Sequence, residues 1–220
     1  MTPTEKYSEE KDELKNARKN RILAAAFQLF SEKGIDTIAM TDIAKTAEIG
    51  VASLYRYYET KDEIAIRTAI WAWEKQKEKL LPALQTDDFV NATGINQIKI
   101  IFDLFILLFE ENKDFFRFIY FFDSYAIRQK ITKERLSEYE TTILYVQSLV
   151  AKAIEKGIMD KSINSDFENK REHLYFTLMH TFFDTCQKMT LSLNMLEMNS
   201  KVPGKEQLEL LSTLLIKSLK

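Results

Sequence analysis

Residues 39–61, AMTDIAKTAEIGVASLYRYYETK, constrain the fold of this chain more than any other segment. Apolar residues recur at helical spacing in two short runs, about 40–47 and 51–58, with a break of three to four residues between them. The second run ends in aromatic residues, and Lys61 follows it. Two short helices that meet at such a break form a helix-turn-helix, whose second helix can enter a DNA major groove while its end rests on phosphates.

A longer helix precedes this segment, and a fourth helix follows it. The first ends before Gly34, which fits a C-terminal cap. Its apolar positions, which repeat at helical spacing, are Ile22, Ala25, Ala26, Leu29 and Phe30. The fourth opens at Lys61, with Thr60 as its N-cap and Glu63 as the capping-box partner. The first three helices share one small core, so we expect a domain boundary inside the fourth, near residue 67.

The rest of the chain also has the pattern of helices. Only five Gly and three Pro occur in 220 residues, and β-branched runs are scarce. Capping signals and apolar periodicity predict further helices at about 96–111, from 113 onward, 132–156 (ended by Gly157), 165–195 (capped by Ser165 with Glu168) and 205–219. We therefore predict an all-α fold, with a helix-turn-helix domain at 1–67 and a larger ligand-binding and dimerisation domain at 68–220. Residues 1–13 are expected to be an acidic, frayed arm.

The distribution of charge supports a local DNA-binding face more than the total does. The formal net charge is −2. Residues 1–13 carry two basic and five acidic side chains, whereas residues 14–61 carry eight basic and five acidic ones. A local excess is sufficient, because phosphate attraction acts over a Debye length of about 10 Å. The alternative for the basic cluster at 15–21 is a solvated helix face.

The single cysteine and the hydropathy pattern predict a cytoplasmic protein that is not inserted in a membrane. Cys186 alone cannot form an internal disulfide, which fits a reducing compartment. The N-terminal residues have no apolar core of the signal-peptide type. The longest apolar stretch, 95–109, contains Lys99 and Asp103 and is too short to span a bilayer.

Residues 20–66 contain three spaced patterns: Phe27-x-x-Phe30-x-x-x-Gly34, Asp42-Ile43-Ala44-x-x-Ala47 and Leu54-Tyr55-x-Tyr57-Tyr58-x-x-Lys61-x-x-Ile64. Together they resemble the N-terminal domain of TetR-family transcriptional repressors. The resemblance implies an all-helical homodimer that forms its interface with the last two helices. It also implies that a small ligand in the C-terminal domain releases the protein from a palindromic operator.

The second helix of the motif presents candidate base-reading side chains. Val51, Ala52, Ser53 and Arg56 are expected to face away from its core side. Ser53 can donate or accept at several bases, and Val51 or Ala52 can lie against a thymine methyl group. Arg56 can read a guanine with two hydrogen bonds, and holding a phosphate is its alternative role.

The resemblance adds phosphate contacts by Tyr55, Tyr57 and Lys61. It also implies a base or backbone contact by Thr41, on the exposed side of the preceding helix. Surface packing is the alternative for Tyr55. Tyr58 is assigned to the core.

Three positions depart from the family pattern. Relatives have Gly at position 48, because the turn requires a left-handed backbone, whereas this chain has Glu48. This predicts about 1 kcal/mol of strain or a different turn. Gly50 replaces the usual serine N-cap, and Ala39 replaces a Ser or Thr before the first helix of the motif. Thr41 is a candidate to take over that cap and start the helix later.

The C-terminal domain is rich in phenylalanine between residues 100 and 185. Large flat side chains pack with irregular gaps, so an apolar pocket for a hydrophobic or aromatic effector is one interpretation, and an ordinary core is the other. The candidate ligand-binding residues are Phe102, Phe105, Phe109, Phe118, Phe122, Tyr125, Tyr145, Phe176, His180 and Phe183.

No cofactor or metal is predicted. His173 and His180 lie seven residues apart, on a helix face that continues through Thr177 and Asp184. Zinc accepts such ligands, but surface or pocket side chains are the favoured interpretation. The sequence contains neither a paired nucleophile and base nor a glycine-rich phosphate loop, which argues against an enzyme. A helical ligand-binding or interaction protein without operator binding remains the alternative to a DNA-binding regulator.

Overall fold

The computed structural model describes residues 3–192, 195 and 197–220, and within them the chain is helical without a strand. This confirms the predicted all-α class. The α-helices are α1 (Pro3–Lys33), α2 (Met40–Thr46), α3 (Val51–Tyr57), α4 (Lys61–Leu84), α5 (Asp87–Asn91), α6 (Gly94–Glu111), α7 (Lys113–Arg128), α8 (Lys133–Met159), α9 (Arg171–Met179), α10 (Thr185–Ser192) and α11 (Gly204–Ser218). Short 3-10 helices cover Ser165–Lys170 and Glu197–Ser200, and a π-helical turn, His180–Asp184, joins α9 to α10.

The chain divides into two compact units. The first comprises Met1–Ala72 and Tyr120–Tyr139, and the second comprises Trp73–Ile119 and Glu140–Lys220. The division within α4 thus falls after Ala72, beyond the expected position near residue 67. Residues 120–139, which we expected in the second domain, belong to the first unit.

The first unit is built on the core that the helical periodicity predicts. Ile22, Ile43 and Leu54, from α1, α2 and α3, are completely buried. Burying a side chain of this size contributes about 1.5–3 kcal/mol. Tyr58 is only 5% exposed, which confirms its assignment to the core. Gly34 follows α1 with a φ of +78°, the left-handed conformation that its role as a C-terminal cap requires.

The acidic N-terminal residues are helical in the structure. We expected 1–13 as a frayed arm, but α1 begins at Pro3 and continues without a break to Lys33. Residues 1 and 2 lie outside the described part of the chain. Residues 11–18 are exposed on every face of α1, so this stretch is held by helical hydrogen bonds rather than by packing.

The second unit contains a cluster of stacked aromatic rings. The rings of Phe102 and Phe182 are parallel, with centroids 4.4 Å apart. Phe183 stacks on Trp73 at 5.5 Å and meets Phe105 edge-on at 6.0 Å. Offset and edge-to-face geometries of this kind stabilise aromatic cores beyond the burial of area.

Two predicted helix boundaries in the second unit are wrong. Gly157 does not end α8, which continues to Met159. The helix predicted from Ser165 begins instead as a 3-10 helix, with Asn164 as its N-cap: Asn164 Oδ1 accepts from the Asp166 backbone N–H at 2.9 Å. The predicted end of that helix, near residue 195, adjoins residues 193, 194 and 196, which lie outside the described part.

Gly157 has a packing role in place of the predicted capping role. A Cβ added at Gly94, the first residue of α6, would lie 2.0 Å from the backbone nitrogen of Gly157. The two backbones therefore touch because Gly94 has no side chain, whereas a Cβ at Gly157 would lie 2.5 Å from the side chain of Ile163. Asp160 Oδ2 also accepts from the Gly94 N–H at 2.8 Å and fixes the start of α6 against the end of α8.

Replacing Gly94 should be severely destabilising. Gly94→Ala forces a methyl group into the backbone of α8, so we expect the free energy of unfolding to fall by about 3 kcal/mol or more. Gly50→Ser is the matched control, because a Cβ at Gly50 meets nothing within 4 Å. Urea denaturation followed by circular dichroism measures both. A loss below about 1 kcal/mol for Gly94→Ala would contradict the close contact.

Candidate nucleic-acid interface and ligand cavity

The turn between α2 and α3 keeps a left-handed residue although glycine is missing. Glu48 has a φ of +53°. The Ile49 N–H donates to the Ala44 carbonyl at 3.0 Å, and the Glu48 N–H donates to the Lys45 carbonyl at 3.1 Å. These two bonds form a Schellman motif, which ends α2 and redirects the chain into α3. Of the two expected alternatives, a strained glutamate in an unchanged turn is therefore the correct one.

The starts of α2 and α3 are capped without the usual hydroxyl groups. Asp42 Oδ2 accepts from the Ala39 N–H at 2.9 Å, and α2 begins at Met40. Thr41 therefore does not replace Ala39 as the cap, because the carboxylate of Asp42 already binds the backbone at this end. Gly50 is the N-cap of α3 in extended conformation and contributes no side-chain bond.

The predicted DNA-contacting side chains of α3 lie on its solvent side. Val51, Ala52, Tyr55 and Arg56 are exposed, whereas Leu54 of the same helix is completely buried. Such an arrangement leaves one face of a short helix free to enter a groove. The base and phosphate contacts themselves stay a prediction.

The remaining predicted contacts of the motif are also at least partly accessible. Thr41 is exposed on α2, and Ser53 and Tyr57 are half-buried. The Arg56 guanidinium donates to Ser53 Oγ at 2.8 Å, which ties together the two side chains proposed to read bases. This bond limits the orientations from which Arg56 can approach a guanine or a phosphate.

Lys61 holds backbone oxygens, a role that the sequence did not predict. Its Nζ donates to the carbonyls of Asp36 and Ile38 at 3.0 and 2.9 Å. The ammonium group thereby fixes the connector between α1 and α2 to the start of α4. Two of its three N–H donors are used, and one is left for a phosphate. Burial lowers the pKa of Lys61, although the charges of Asp36 and Asp62 oppose that shift.

Acidic residues beside Lys61 bind residues 120–139. Tyr125 Oη donates to Asp62 Oδ1 at 2.7 Å, and Arg135 donates to Asp62 Oδ2 at 2.9 Å. Arg128 forms an ion pair with Asp36. We call this set, with Lys61, the polar clamp. It explains why residues 120–139 belong to the first unit: they bind the carboxylates at the start of α4 and in the connector.

The clamp shifts the acidity of its own groups. Burial raises the pKa of Asp62, but the hydrogen bonds from Tyr125 and Arg135 outweigh it, so the pKa lies below the usual range. The pKa of Tyr125 is raised by burial and by its bond to the Asp62 carboxylate. Asp62 is therefore ionised and Tyr125 is a neutral donor at physiological pH.

The predicted ligand-binding residues do not form one pocket. Phe105 and Tyr145 line a small cavity in the second unit. Phe102, Phe109 and Phe183 belong to the aromatic cluster of that unit, with Phe102 and Phe109 completely buried.

The other candidates lie elsewhere. Phe118 is fully buried core. Phe122 and Tyr125 belong to the first unit, where Phe122 packs on Tyr139 and Tyr125 binds Asp62. Phe176 is 41% exposed, and its ring lies 5.6 Å from that of His180, which borders an open groove. Spacing on a helix could not distinguish these environments.

Neither a metal cluster nor a membrane span occurs in the described part of the chain. No three His, Cys, Asp or Glu side chains come together there in a way that could hold a metal ion, and His173 and His180 are both exposed. Among the same residues, none of the helices has the length and apolar character needed to cross a bilayer.

Relief of the strain at Glu48 should be measurable separately from its charge. Glu48→Gly removes the left-handed strain and should raise the free energy of unfolding by about 0.5–1 kcal/mol. Glu48→Gln removes the same charge but keeps the strain, so its stability should not change. Urea denaturation tests the pair. Equal stabilisation by both substitutions would mean that charge, not backbone conformation, is what matters there.

The polar clamp should lose its contribution in acid. The pKa of Asp62 is lowered from 3.8 in the folded state, so its stabilisation is complete above the unfolded pKa and disappears as the pH falls through the folded one. We expect Asp62→Asn to cost about 2 kcal/mol at pH 7, and the difference from the unmodified protein to shrink only as the pH falls below 3.8 and through the lowered pKa of the folded state.

The control for the clamp is Asp103→Asn, which removes an exposed pair with Lys99. It should cost less than about 0.5 kcal/mol. Denaturant unfolding at several pH values measures the three proteins. A cost of Asp62→Asn that does not depend on pH would contradict the assignment of an ionised Asp62.

Comparison with known proteins agrees with this geometry. The family model for bacterial regulatory proteins of the tetR family matches residues 22–68. The chain is 25% identical over 168 residues to the probable HTH-type transcriptional regulator YttP of Bacillus subtilis. This match covers 76% of this chain and 72% of YttP. It is 48% identical over 46 residues to IcaR of Staphylococcus epidermidis, a negative transcriptional regulator of a biofilm operon. This match covers 21% of this chain and 25% of IcaR.

The likeness to solved structures extends over nearly the whole chain. The transcriptional regulator FadR from Bacillus subtilis was solved in complex with stearoyl-CoA. It superposes on this chain with a TM-score of 0.63 at 15% identity, and the superposition covers 91% of this chain and 98% of the FadR chain. At this identity the likeness concerns the fold. The matched segment contains the end of α1, α2, α3 and the start of α4, and so includes the turn at Glu48 and the capped start of α3. Residues 22–68 belong to the tetR family of bacterial regulatory proteins, and α2 and α3 are their helix-turn-helix.

Proposed function

We propose that this regulator is a homodimeric repressor that leaves a palindromic operator when a small hydrophobic or aromatic effector binds its C-terminal domain. The observation that carries the proposal is the presentation of α3: Val51 and Tyr55 are 39% and 48% exposed beside a completely buried Leu54. Exposed apolar and aromatic side chains on a short, firmly seated helix suit contact with thymine methyl groups and phosphates.

The roles of the contacting residues follow from their chemistry. Val51, Ala52 and Ser53 lie in the N-terminal half of α3, the part of a recognition helix that reaches base edges. Arg56 reads a guanine or holds a phosphate. Tyr55, Tyr57 and the remaining donor of Lys61 bind phosphates, and Thr41 contacts the backbone or a base from α2.

Dimerisation through the last two helices is supported by the surface of α11. Leu210 and Leu214 are 60% and 57% exposed there, so two large apolar side chains face solvent in a single chain. Burying them against a second copy would remove this apolar surface from water. Two helix-turn-helix units in a dimer would read half-sites about 34 Å apart, which a single unit cannot do.

A repressor with an effector is supported by the relatives and by the cavity. IcaR is named a negative regulator, and FadR was solved with an acyl-CoA. In this chain an apolar cavity lies in the second unit, which is the candidate effector site. We propose that residues 1–67 bind DNA in the cytoplasm and that residues 68–220 bind the effector and the partner subunit. Within the second range, residues 120–139 stabilise the DNA-binding part through their bonds to Asp36 and Asp62.

Electrophoretic shift with the DNA upstream of the chain's own gene tests this function. We expect binding that a scrambled fragment does not compete away. Ser53→Ala or Arg56→Ala should change the preferred sequence, at about 1–3 kcal/mol for each lost base contact. Tyr55→Phe should weaken binding to all operators without altering its salt dependence, because the lost group is uncharged.

Lys61→Met separates the two roles of Lys61. Loss of a phosphate contact should lower the slope of log affinity against log salt by about 0.9, whereas loss of the connector bonds alone should weaken binding with the slope unchanged. Thermal unfolding of the variant provides the control for the fold. Binding that ignores sequence, or no binding at low salt, would favour the alternative, a helical ligand-binding or interaction protein without operator binding.

A further inference from the structure

The N-terminal part of α1 extends beyond the core of the first unit. α1 begins at Pro3, and Ile22 is completely buried, whereas residues 11–18 are exposed. We call residues 3–20 the extension helix. At 1.5 Å per residue it is about 27 Å long. The family match begins at residue 22, so the extension helix lies outside the matched motif.

The extension helix carries its basic and acidic side chains on different faces. Lys11, Lys15 and Arg18 are separated by four and three residues, which places them on one face of the helix. Glu9 and Glu13, four residues apart, lie on the opposite face. Within the part of the chain that the structure describes, none of the three cations forms an ion pair. Like charges four residues apart destabilise a helix, so an anion from outside the chain would stabilise the basic face.

The basic face continues the buried face of α1. Lys15 and Arg18 precede Ile22 by seven and four residues, and therefore lie in line with it along the helix. Ala25 and Ala26, one turn further on, are buried at the same face. α2 packs against α1, and the buried face belongs to the core that the first three helices share. The cations therefore lie on the same side of α1 as the helix-turn-helix.

Double-stranded DNA is the partner that fits this face. A duplex offers a regular row of phosphates, and α3, on the same side of α1, is the candidate recognition helix. An anionic membrane is the other polyanionic surface, but an interfacial helix needs a broad apolar face. The sequence of the extension helix contains only two large apolar side chains, Tyr7 and Leu14, which are 70% and 73% exposed. The charge pattern and the lack of an apolar face therefore favour DNA.

We propose that Lys11, Lys15 and Arg18 bind DNA phosphates while α3 lies in the major groove. These contacts are independent of sequence, because the phosphates carry no sequence information. They add affinity to the operator complex and to the complex with any other duplex in equal measure. The acidic face with Glu9 and Glu13 is turned away from the duplex. The proposal deepens the proposed function and rests on it, because it requires that the helix-turn-helix binds DNA.

Removing the three cations should weaken binding to DNA of any sequence. Fluorescence anisotropy at several potassium chloride concentrations compares the unmodified protein with Lys11→Gln/Lys15→Gln/Arg18→Gln. The DNA is the fragment upstream of the chain's own gene and a scrambled duplex of the same length. We expect the slope of log affinity against log salt to fall by about 0.9 for each lost phosphate contact, or about 2.7 for each subunit. The ratio of the two affinities should stay the same.

A second variant with the same loss of charge is the control for net charge. Lys79→Gln/Lys161→Gln/Lys170→Gln removes three exposed cations of the second unit. It should leave the salt dependence unchanged on both duplexes, because these lysines lie outside the DNA-binding unit.

A third variant keeps the charge and moves it to the other face. Lys15→Asn/Asn16→Lys combined with Arg18→Asn/Asn20→Arg retains the composition of the helix but places two cations on the acidic side. Asn16→Lys adds an attractive spacing to Asp12, four residues before it, so the helix content measured by circular dichroism should not fall. We expect the slope to fall by about 1.8 for each subunit, as for the loss of two contacts.

An unchanged slope in the first variant would overturn the proposal. An unchanged slope in the third would do so too, because the charge would then act without a defined face. Binding to phosphatidylserine vesicles that the first variant loses, with no change on DNA, would overturn it in favour of a membrane. Failure of the proposed function gives a different result: the unmodified protein would bind the two duplexes equally, whatever the slopes of the variants. Binding to neither duplex would refute both.

Discussion

The position of the DNA-binding helices depends on one half-buried cation. Lys61 is the first residue of α4, and its ammonium group binds the carbonyls of Asp36 and Ile38 in the connector between α1 and α2. Hydrogen bonds from a charged donor contribute about 1.5–3 kcal/mol each, which exceeds those between neutral groups. Because α2 follows this connector directly, the same bonds tie the chain that leads into α2 to the start of α4.

The polar clamp extends this constraint to residues distant in sequence. Asp62 is the residue after Lys61, and its carboxylate receives hydrogen bonds from Tyr125 and Arg135. A carboxylate with these donors remains ionised, and its charge favours the ammonium state of Lys61 in turn. The start of α4 is thus held on both sides, by the connector and by residues 120–139.

Local sequence signals were sufficient for the helix-turn-helix. The apolar period located α2, α3 and the core residue Tyr58, and Gly34 indicated the end of α1. The departure from the family pattern at Glu48 left two alternatives, strain or a different turn, and the structure shows the left-handed residue within the usual hydrogen bonds of the turn. Each of these predictions concerns residues within one or two helical turns of each other.

Interactions between distant residues could not be predicted in this way. Tyr125 was expected in a ligand pocket, but it binds Asp62 from another helix, and nothing near Tyr125 in the sequence indicates that partner. Gly157 was expected to end a helix, since glycine often does. Its contact with Gly94 depends on how α6 and α8 approach, which the local sequence does not indicate. The phenylalanine content indicated an aromatic core but not the small size of the cavity, which depends on how closely the rings stack.

The proposed function requires that α3 reads a specific DNA sequence. Hydroxyl-radical footprinting of the protein on the DNA upstream of its own gene tests it most directly. We predict two protected patches on one face of the duplex, about one helical turn or 34 Å apart, with a sequence symmetric about their midpoint. Uniform protection along the fragment, or no protection at low salt, would contradict the account.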